Sequence, residues 1–524
     1  MHKKSLLFIG LIALLVGGFV LNDRMGTTVT PSNNAVTTKE VRLNNGDTYV
    51  LVADYVTKNI DGRPLRMLAY NGMIPGPTIK VDQGAQVTIH FVNKTDMPTL
   101  LHSHGVRVAN AFDGTHLVQP DVLPGASFDY VLKFEDPGVF WYHPHVREDK
   151  QQNMGLYGNF VVTPSDLAYW PATDHSETIF LSDVLLENGN IAPYSEKYIT
   201  HALMGRFGNT ILINGDTSAT LHGEPGEVHR LYVTNAATVR PFNFRIGGGV
   251  KMKLVGGDNG RYEKETFVDA VIIAPSERVV LDVLLPAAGE FALEHAVPGG
   301  KVYPLGKFVV SGTPVNEASK NFSTLRINEK ETALFAGFRQ YLGVPAQKKL
   351  ILTLSMDMGK IMGYMGGGMS GMSMSGMNMG TSTGMGGMMH ASVPIEWEDT
   401  MGDMNTFSTS DTVKWIMRDE ETGKENMDIN WVLPRGPYVK IRITNDATSG
   451  HPMQHPVHFH GNRFVVLSVN GVPNDNMVWK DTTLLKTGDV VDILLETTNV
   501  GKWMAHCHIA EHMHSGMMIG YTVE

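Results

Sequence analysis

A single cysteine, Cys507, among 524 residues excludes an intramolecular disulfide framework, so its thiol is either a small buried hydrophobe or a chemical group. Charge is also scarce: 18% of residues are charged, the formal net charge is -10 and no long basic run occurs, which argues against a nucleic-acid partner. The only long apolar run near the N-terminus, residues 6–21, follows Lys3 and Lys4 and reads as an export signal. It lacks a small-x-small cleavage site directly after it, a lipobox cysteine and a twin arginine, and it is short for a full membrane span. The expectation is an extracytoplasmic protein: periplasmic, secreted, or held by an N-terminal membrane tether.

What is abundant points to turns. With 55 Gly, 26 Pro and 42% hydrophobic residues, the chain suits a globular fold better than a helical bundle, and its length suggests about two to four domains. After residue 40 alternating apolar segments recur between Gly, Pro, Asn and Asp. One pattern appears three times: VDQGAQVTIHFVNKT (81–95), GEPGEVHRLYVTNAAT (223–238) and LPRGPYVKIRITNDAT (433–448) each place Gly before a short strand ending in Asn. A second also recurs. DPGVFWYHPHV (136–146), AAGEFALEHAV (287–297) and NVGKWMAHCHI (499–509) each precede a closing strand. Repeats of this length are whole domains, and three β-sandwiches bury the one-sided sheets.

The copies differ in chemistry. At matching positions stand His143-Pro144-His145, Glu294-His295-Ala296 and His506-Cys507-His508. Metal-binding capacity therefore falls in the first and third domains, while the second reads as a spacer. The expected division is a signal or anchor with polar linker over 1–39, domains over 40–165, 170–315 and 340–524, and a Met/Gly-rich insert over 356–389. That insert holds 12 Met and 11 Gly in 34 residues, a composition suited to a mobile segment rather than a core.

Four short stretches gather ten histidines: His102 and His104; His143 and His145; His455, His458 and His460; and His506, His508 and His512. On a strand, i and i+2 share a face and i+1 takes the other. Each His-x-His pair thus aims two imidazoles at one point, and Cys507 faces a different site from His506 and His508. Two imidazoles, a thiolate and a weak thioether on a β-sandwich suit an electron-transfer copper, and His455, Cys507, His512 and Met517 fit it.

These stretches read HSHG at 102–105, HPH at 143–145, HPVHFHG at 455–461 and HCHIAEHMHSGM at 506–517. With them the chain, over about residues 40–524, resembles the multicopper oxidases, specifically the three-domain bacterial laccase-like and copper(I)-oxidising members. The resemblance implies an all-β fold of three consecutive cupredoxin-like Greek-key β-sandwich domains and four copper ions per chain. Type 1 copper would take His455, Cys507, His512 and Met517. Type 2 copper would take His102 and His458. The type 3 pair would take His104, His143 and His508 on one ion and His145, His460 and His506 on the other. The implied activity is one-electron oxidation of copper(I) or small phenols, coupled to reduction of O2 to water.

Asp113 matches the family's acid near the type 2 copper. The glutamate that many relatives place after the second type 1 histidine is Met513 here, and Glu511 is expected, by strand alternation, to point away. Met356, Asp357, Met358, His451 and Met453 stand at or near positions where copper(I)-oxidising relatives hold substrate copper, with His451 in place of an aspartate. A laccase-like phenol oxidase without a copper(I) role, and a simple copper electron carrier, remain the alternatives. Oligomeric state stays open.

Overall fold

The computed structural model describes residues 34–315, 317–367, 394–436 and 438–524. Six of its sheets pair face to face into three sandwiches in chain order. In the first, Arg63–Tyr70, Thr48–Ile60, Gln86–Asn93 and Ser127–Lys133 form a four-stranded sheet. It faces a five-stranded sheet that ends on Gly138–Pro144 and Leu101–His104. The second and third sandwiches each set a six-stranded sheet against a five-stranded one. Each encloses its own apolar core: Leu51, Phe91 and Phe160 in the first, Leu231, Phe244 and Phe308 in the second, and Ile441, Phe459 and Tyr521 in the third. The fold is all-β, with three cupredoxin-type Greek-key sandwiches.

The repeated asparagine has a structural reason. Asn93, Asn235 and Asn445 end the strands Gln86–Asn93, Val228–Asn235 and Tyr438–Asn445, and all three are buried. Each side-chain amide donates to carbonyls of loops that follow: Val122 and Met97, Ile273 and Arg240, and Met453 and Lys486. A buried loop leaves backbone oxygens without water, and one amide supplies two donors to them. In the third copy this bond holds the loop just before His455.

The second repeat forms Gly138–Pro144, Gly289–Ala296 and Gly501–Cys507, each antiparallel to its closing strand. The closing strands also pair in parallel with an earlier strand, as in Ile79↔Phe160, Leu221↔Phe308 and Trp431↔Tyr521. Parallel neighbours require a long crossover; Gly138–Pro144 and Gly501–Cys507 each have a neighbour on both sides, while Leu101–His104 is the edge strand of its sheet.

The Met/Gly-rich stretch departs from a mobile linker at its start. Met356 ends the strand Lys348–Met356, and Met358–Gly367 is helical. Asp357 Oδ1 accepts from Lys360 N at 3.0 Å, closing the first turn, and Ile361 is wholly buried in the third core. Composition hid this because one buried Ile and one capping Asp suffice to dock a short helix. The rest of the insert, 368–389, and the apolar run at 6–21 lie outside the described residues. Among the described residues no helix is long and apolar enough to cross a membrane.

Candidate metal centre

One antiparallel strand pair builds two sites at once. In the pairing of His455–Phe459 with Gly501–Cys507, Val457 lies opposite Cys507 and His458 opposite His506. Opposed residues share a face. His455 and Cys507 therefore meet on one side, and His458, His460 and His506 on the other. In the first sandwich His102 lies opposite His143, on Leu101–His104 and Gly138–Pro144.

The first site is fully buried. Cys507 Sγ lies 3.6 Å from His455 Nδ1 and 3.8 Å from His512 Nδ1, and the two Nδ1 atoms are 3.3 Å apart. Met517 is wholly buried and joined to both partners through its backbone: its N donates to His512 O and its carbonyl accepts from Cys507 N. Trp415 stacks on His512 with ring centroids 4.1 Å apart and donates Nε1–H to Ala202 O. Burial pushes the Cys507 thiol up and holds His455 at about 3. A neutral imidazole pair around a thiol is the donor set a soft cation takes on release of a proton.

The second site gathers eight imidazoles between the first and third sandwiches. His145, His460 and His506 have ring nitrogens within 4.8 Å of one another, as do His102, His104 and His143, and His102, His458 and His460. The ring of His508 lies 5.1 Å from His104 and 5.2 Å from His143. Burial drives His143, His460, His506 and His508 well below the usual histidine range, and holds His102 at about 3 and His145 at about 4. These six rings are therefore neutral at physiological pH.

Hydrogen bonds fix which nitrogen of each ring turns inward. His102, His458 and His506 donate Nδ1–H to the carbonyls of Asp113, Asp481 and Cys507 at 2.7, 2.9 and 2.9 Å. His460 Nδ1 donates to the Asp113 carboxylate at 3.1 Å. His145 Nδ1 lies 3.1 Å from Glu148 Oε1. His104 is reversed: its Nε2 meets Asp481 Oδ1 at 2.9 Å, and its Nδ1 is the free atom. The opposite nitrogens of His102, His143, His145, His458 and His508 are buried without a hydrogen-bond partner. His460 Nε2 and His506 Nε2 face each other at 3.0 Å, two lone pairs that repel unless a cation lies against them. Buried acceptors oriented in this way, each backed by a carbonyl or carboxylate, are the requirement for bound transition metals. The residues fit copper.

The structure thus brings every sequence-predicted histidine and cysteine ligand into one of two clusters, with Met517 joined to the first through its backbone. Asp113 is buried against His460 and His102 and accepts from Thr115 Oγ1, and burial raises it to about 7. The strand ends at Cys507 and residues Ala510–His514 form a helical turn, so strand alternation does not govern where Glu511 points. Glu511 is wholly buried, both its oxygens lack partners, and burial raises it to about 8.

Asp481, Arg278, Glu148 and Trp415 escaped the sequence reading. Only Glu148 had a local signal, three residues after His145; the others are distant in sequence. Glu148 also accepts from His514 Nε2 at 2.5 Å.

The residues expected to hold substrate copper separate into two kinds. Met453 is wholly buried, and His451 is buried with Nε2 unpartnered. Met356 lies against Gly450, where a β-carbon would meet its Cε at 2.9 Å, and Met358 packs on the third core. Met401 and Met404, unforeseen, pack on that core too. Asp357 is half-exposed and caps a helix.

Three cupredoxin sandwiches enclosing a buried cysteine–histidine site and an eight-histidine cluster define a copper-binding oxidoreductase. Three family models described as multicopper oxidase match residues 52–166, 176–294 and 396–524, more than half of the chain together. The chain belongs to the multicopper oxidase family. It is similar to multicopper oxidase mco of Staphylococcus epidermidis (25% identity, covering 86% of this chain and 82% of that one). It is also similar to MmcO of Mycobacterium tuberculosis (24%, covering 88% and 83%). Among solved structures, the multicopper oxidase of Campylobacter jejuni, described as a metallo-oxidase, superposes with TM-score 0.67 at 23% identity over 94% of this chain and 96% of that chain. That of Pseudomonas thermotolerans gives 0.65 at 24%, over 94% and 100%.

Proposed function

We propose that this enzyme couples one-electron oxidation of copper(I), and of small phenols, to four-electron reduction of O2 to water. The observation that supports it most is Cys507 on one face of its strand, flanked by His506 and His508 in the other cluster. Type 1 copper would be held by His455, Cys507, His512 and Met517, and type 2 copper by His102 and His458. The type 3 pair would be held by His104, His143 and His508, and by His145, His460 and His506. Copper in these sites supplies one-electron storage and the reduction of O2. The protein's own part is to keep the imidazoles neutral, exclude bulk water and deliver protons. Asp113, an acid up to about pH 7, holds one such proton beside His460 and His102. The apolar run at 6–21 supports an extracytoplasmic location.

Copper analysis and absorption test the assignment. The expected holoenzyme binds four coppers and shows a thiolate band at about 600 nm with a shoulder at about 330 nm. One copper without the shoulder would leave a simple electron carrier.

Copper(I) as substrate is supported by two soft thioethers, Met356 against Gly450 and buried Met453 two residues before His455, and by the unpartnered Nε2 of buried His451. The metallo-oxidase description of the Campylobacter jejuni relative agrees. Met356→Leu with Met453→Leu should keep the blue band and phenol oxidation while slowing copper(I) oxidation about tenfold, the order of a lost metal contact. Deleting 368–389 should deepen that defect. Equal copper(I) rates in all three proteins at equal copper loading would leave the general laccase-like reading.

A further inference from the structure

The middle sandwich has no counterpart of the ligand pairs, yet one of its side chains reaches the eight-histidine cluster. Arg278 opens the strand Arg278–Leu284 of that sandwich and is wholly buried. Its Nε donates to Val139 O of the first sandwich at 3.2 Å. Its Nη1 and Nη2 form a fork on Asp481 of the third, at 2.7 and 2.5 Å. Asp481 Oδ1 in turn accepts from His104 Nε2 at 2.9 Å and from Thr482 Oγ1 at 2.9 Å, while the Asp481 carbonyl accepts from His458 Nδ1. One guanidinium thus touches all three sandwiches and stands one carboxylate away from the imidazole of His104.

Two further observations show that the space around this contact is built for it. Gly105, which follows His104 with φ 80°, has no room for a side chain: a β-carbon would overlap the Asp481 carboxylate and the Arg278 guanidinium. The glycine of the HSHG motif therefore admits the pair. Lys480, next to Asp481, is half of a second buried link to the same sandwich, with Asp258 at 3.0 Å and Glu277 at 3.2 Å. Arg278 N is itself held by Asp258 Oδ1 at 2.8 Å.

We propose that Arg278 is a positioning residue of the trinuclear copper cluster, supplied by the ligand-free domain. It fixes the Asp481 carboxylate, which fixes His104 in the tautomer that turns Nδ1 inward, reversed from the Nε2 atoms that the neighbouring rings leave free. A lysine cannot reproduce the fork, because an ammonium is a point charge without the planar pair of donors. The middle sandwich is then a third wall of the cluster, and its docking sets cluster affinity. This inference rests on the trinuclear reading proposed above.

The test compares Arg278→Lys with Arg230→Lys. Arg230 forms a similar buried fork on Asp282, at 2.8 and 2.8 Å, on neighbouring strands of the same sandwich, and neither group is hydrogen-bonded to a metal-binding histidine. Apo-proteins are titrated with copper, following the 600 nm band, the 330 nm shoulder, the type 2 electron paramagnetic resonance signal and Tm. Both variants should lose Tm. Only Arg278→Lys should fill the cluster with affinity about tenfold weaker or more, the cost of a lost partner behind a metal ligand, with its 600 nm band unchanged. Asp481→Asn, which keeps shape and weakens the same link, should reproduce the defect. If both arginine variants lower Tm equally and fill the cluster like wild type, Arg278 is only an interdomain clamp and the proposal is wrong. If wild type itself shows no 330 nm shoulder, it is the trinuclear reading that fails.

Discussion

Cys507→Ser should give a folded protein without the blue band and without turnover on any reductant. The thiolate is the only sulfur anion in the chain, and Cys507 lies between His455 Nδ1 and His512 Nδ1 with no solvent exposure. A serine hydroxyl fits that space but is a hard, weakly acidic donor that gives no thiolate charge transfer. It also removes the sulfur that would join copper in the first site to the short bonded path toward His506 and His508. Burying an imperfectly paired hydroxyl costs about 1–3 kcal/mol, so Tm should fall modestly. The 330 nm shoulder should survive, because the eight histidines of the cluster lie on other faces and keep their partners. Loss of the blue band with full turnover would remove Cys507 from the electron path; loss of both bands would mean that the variant had disturbed the whole strand.

Asp113→Asn should separate proton supply from structure. The asparagine carbonyl can still accept from His460 Nδ1, and the backbone carbonyl of residue 113 still accepts from His102 Nδ1. Four coppers and the blue colour should therefore remain. What disappears is a buried acid that holds its proton up to about pH 7. Oxygen consumption should fall about a hundredfold, the scale of a lost general acid, while anaerobic reduction of the blue site proceeds at the wild-type rate. The sign of the pH dependence follows. Since the working form is protonated, wild-type oxygen reduction should decline as pH rises through about 7, and earlier once bound cations favour the carboxylate. The variant should lack that limb. Full turnover in the variant would take Asp113 out of the mechanism.

How much was legible in the sequence differs by residue. The His-x-His pairs and Cys507 were readable because a strand with period two converts spacing directly into facing, whereas His512 and Met517, beyond the strand, were readable only from the motif. The three sandwiches were readable because each repeat includes its own Gly, alternating strand and terminal Asn. The period-two rule stops short of Glu511, which lies past the end of the strand in a helical turn where alternation does not apply. The start of the Met/Gly-rich stretch was misread because composition averages over a window, whereas docking depends on single residues such as Ile361.

The sequence by itself determined the copper chemistry: which side chains are ligands in kind, which share a face, and that one cysteine separates two sites. Those are local properties of strands. Tertiary structure decided what lies behind each ligand. Asp113 reaches His460 across 347 positions, Asp481 reaches His104 across 377, and Arg278 reaches Asp481 across 203. Such partners have no spacing rule, because they meet only where three separately folded sandwiches close on one another. Burial at that junction, not residue type, raises Asp113, and the Asp481 carboxylate that meets His104 there fixes its tautomer.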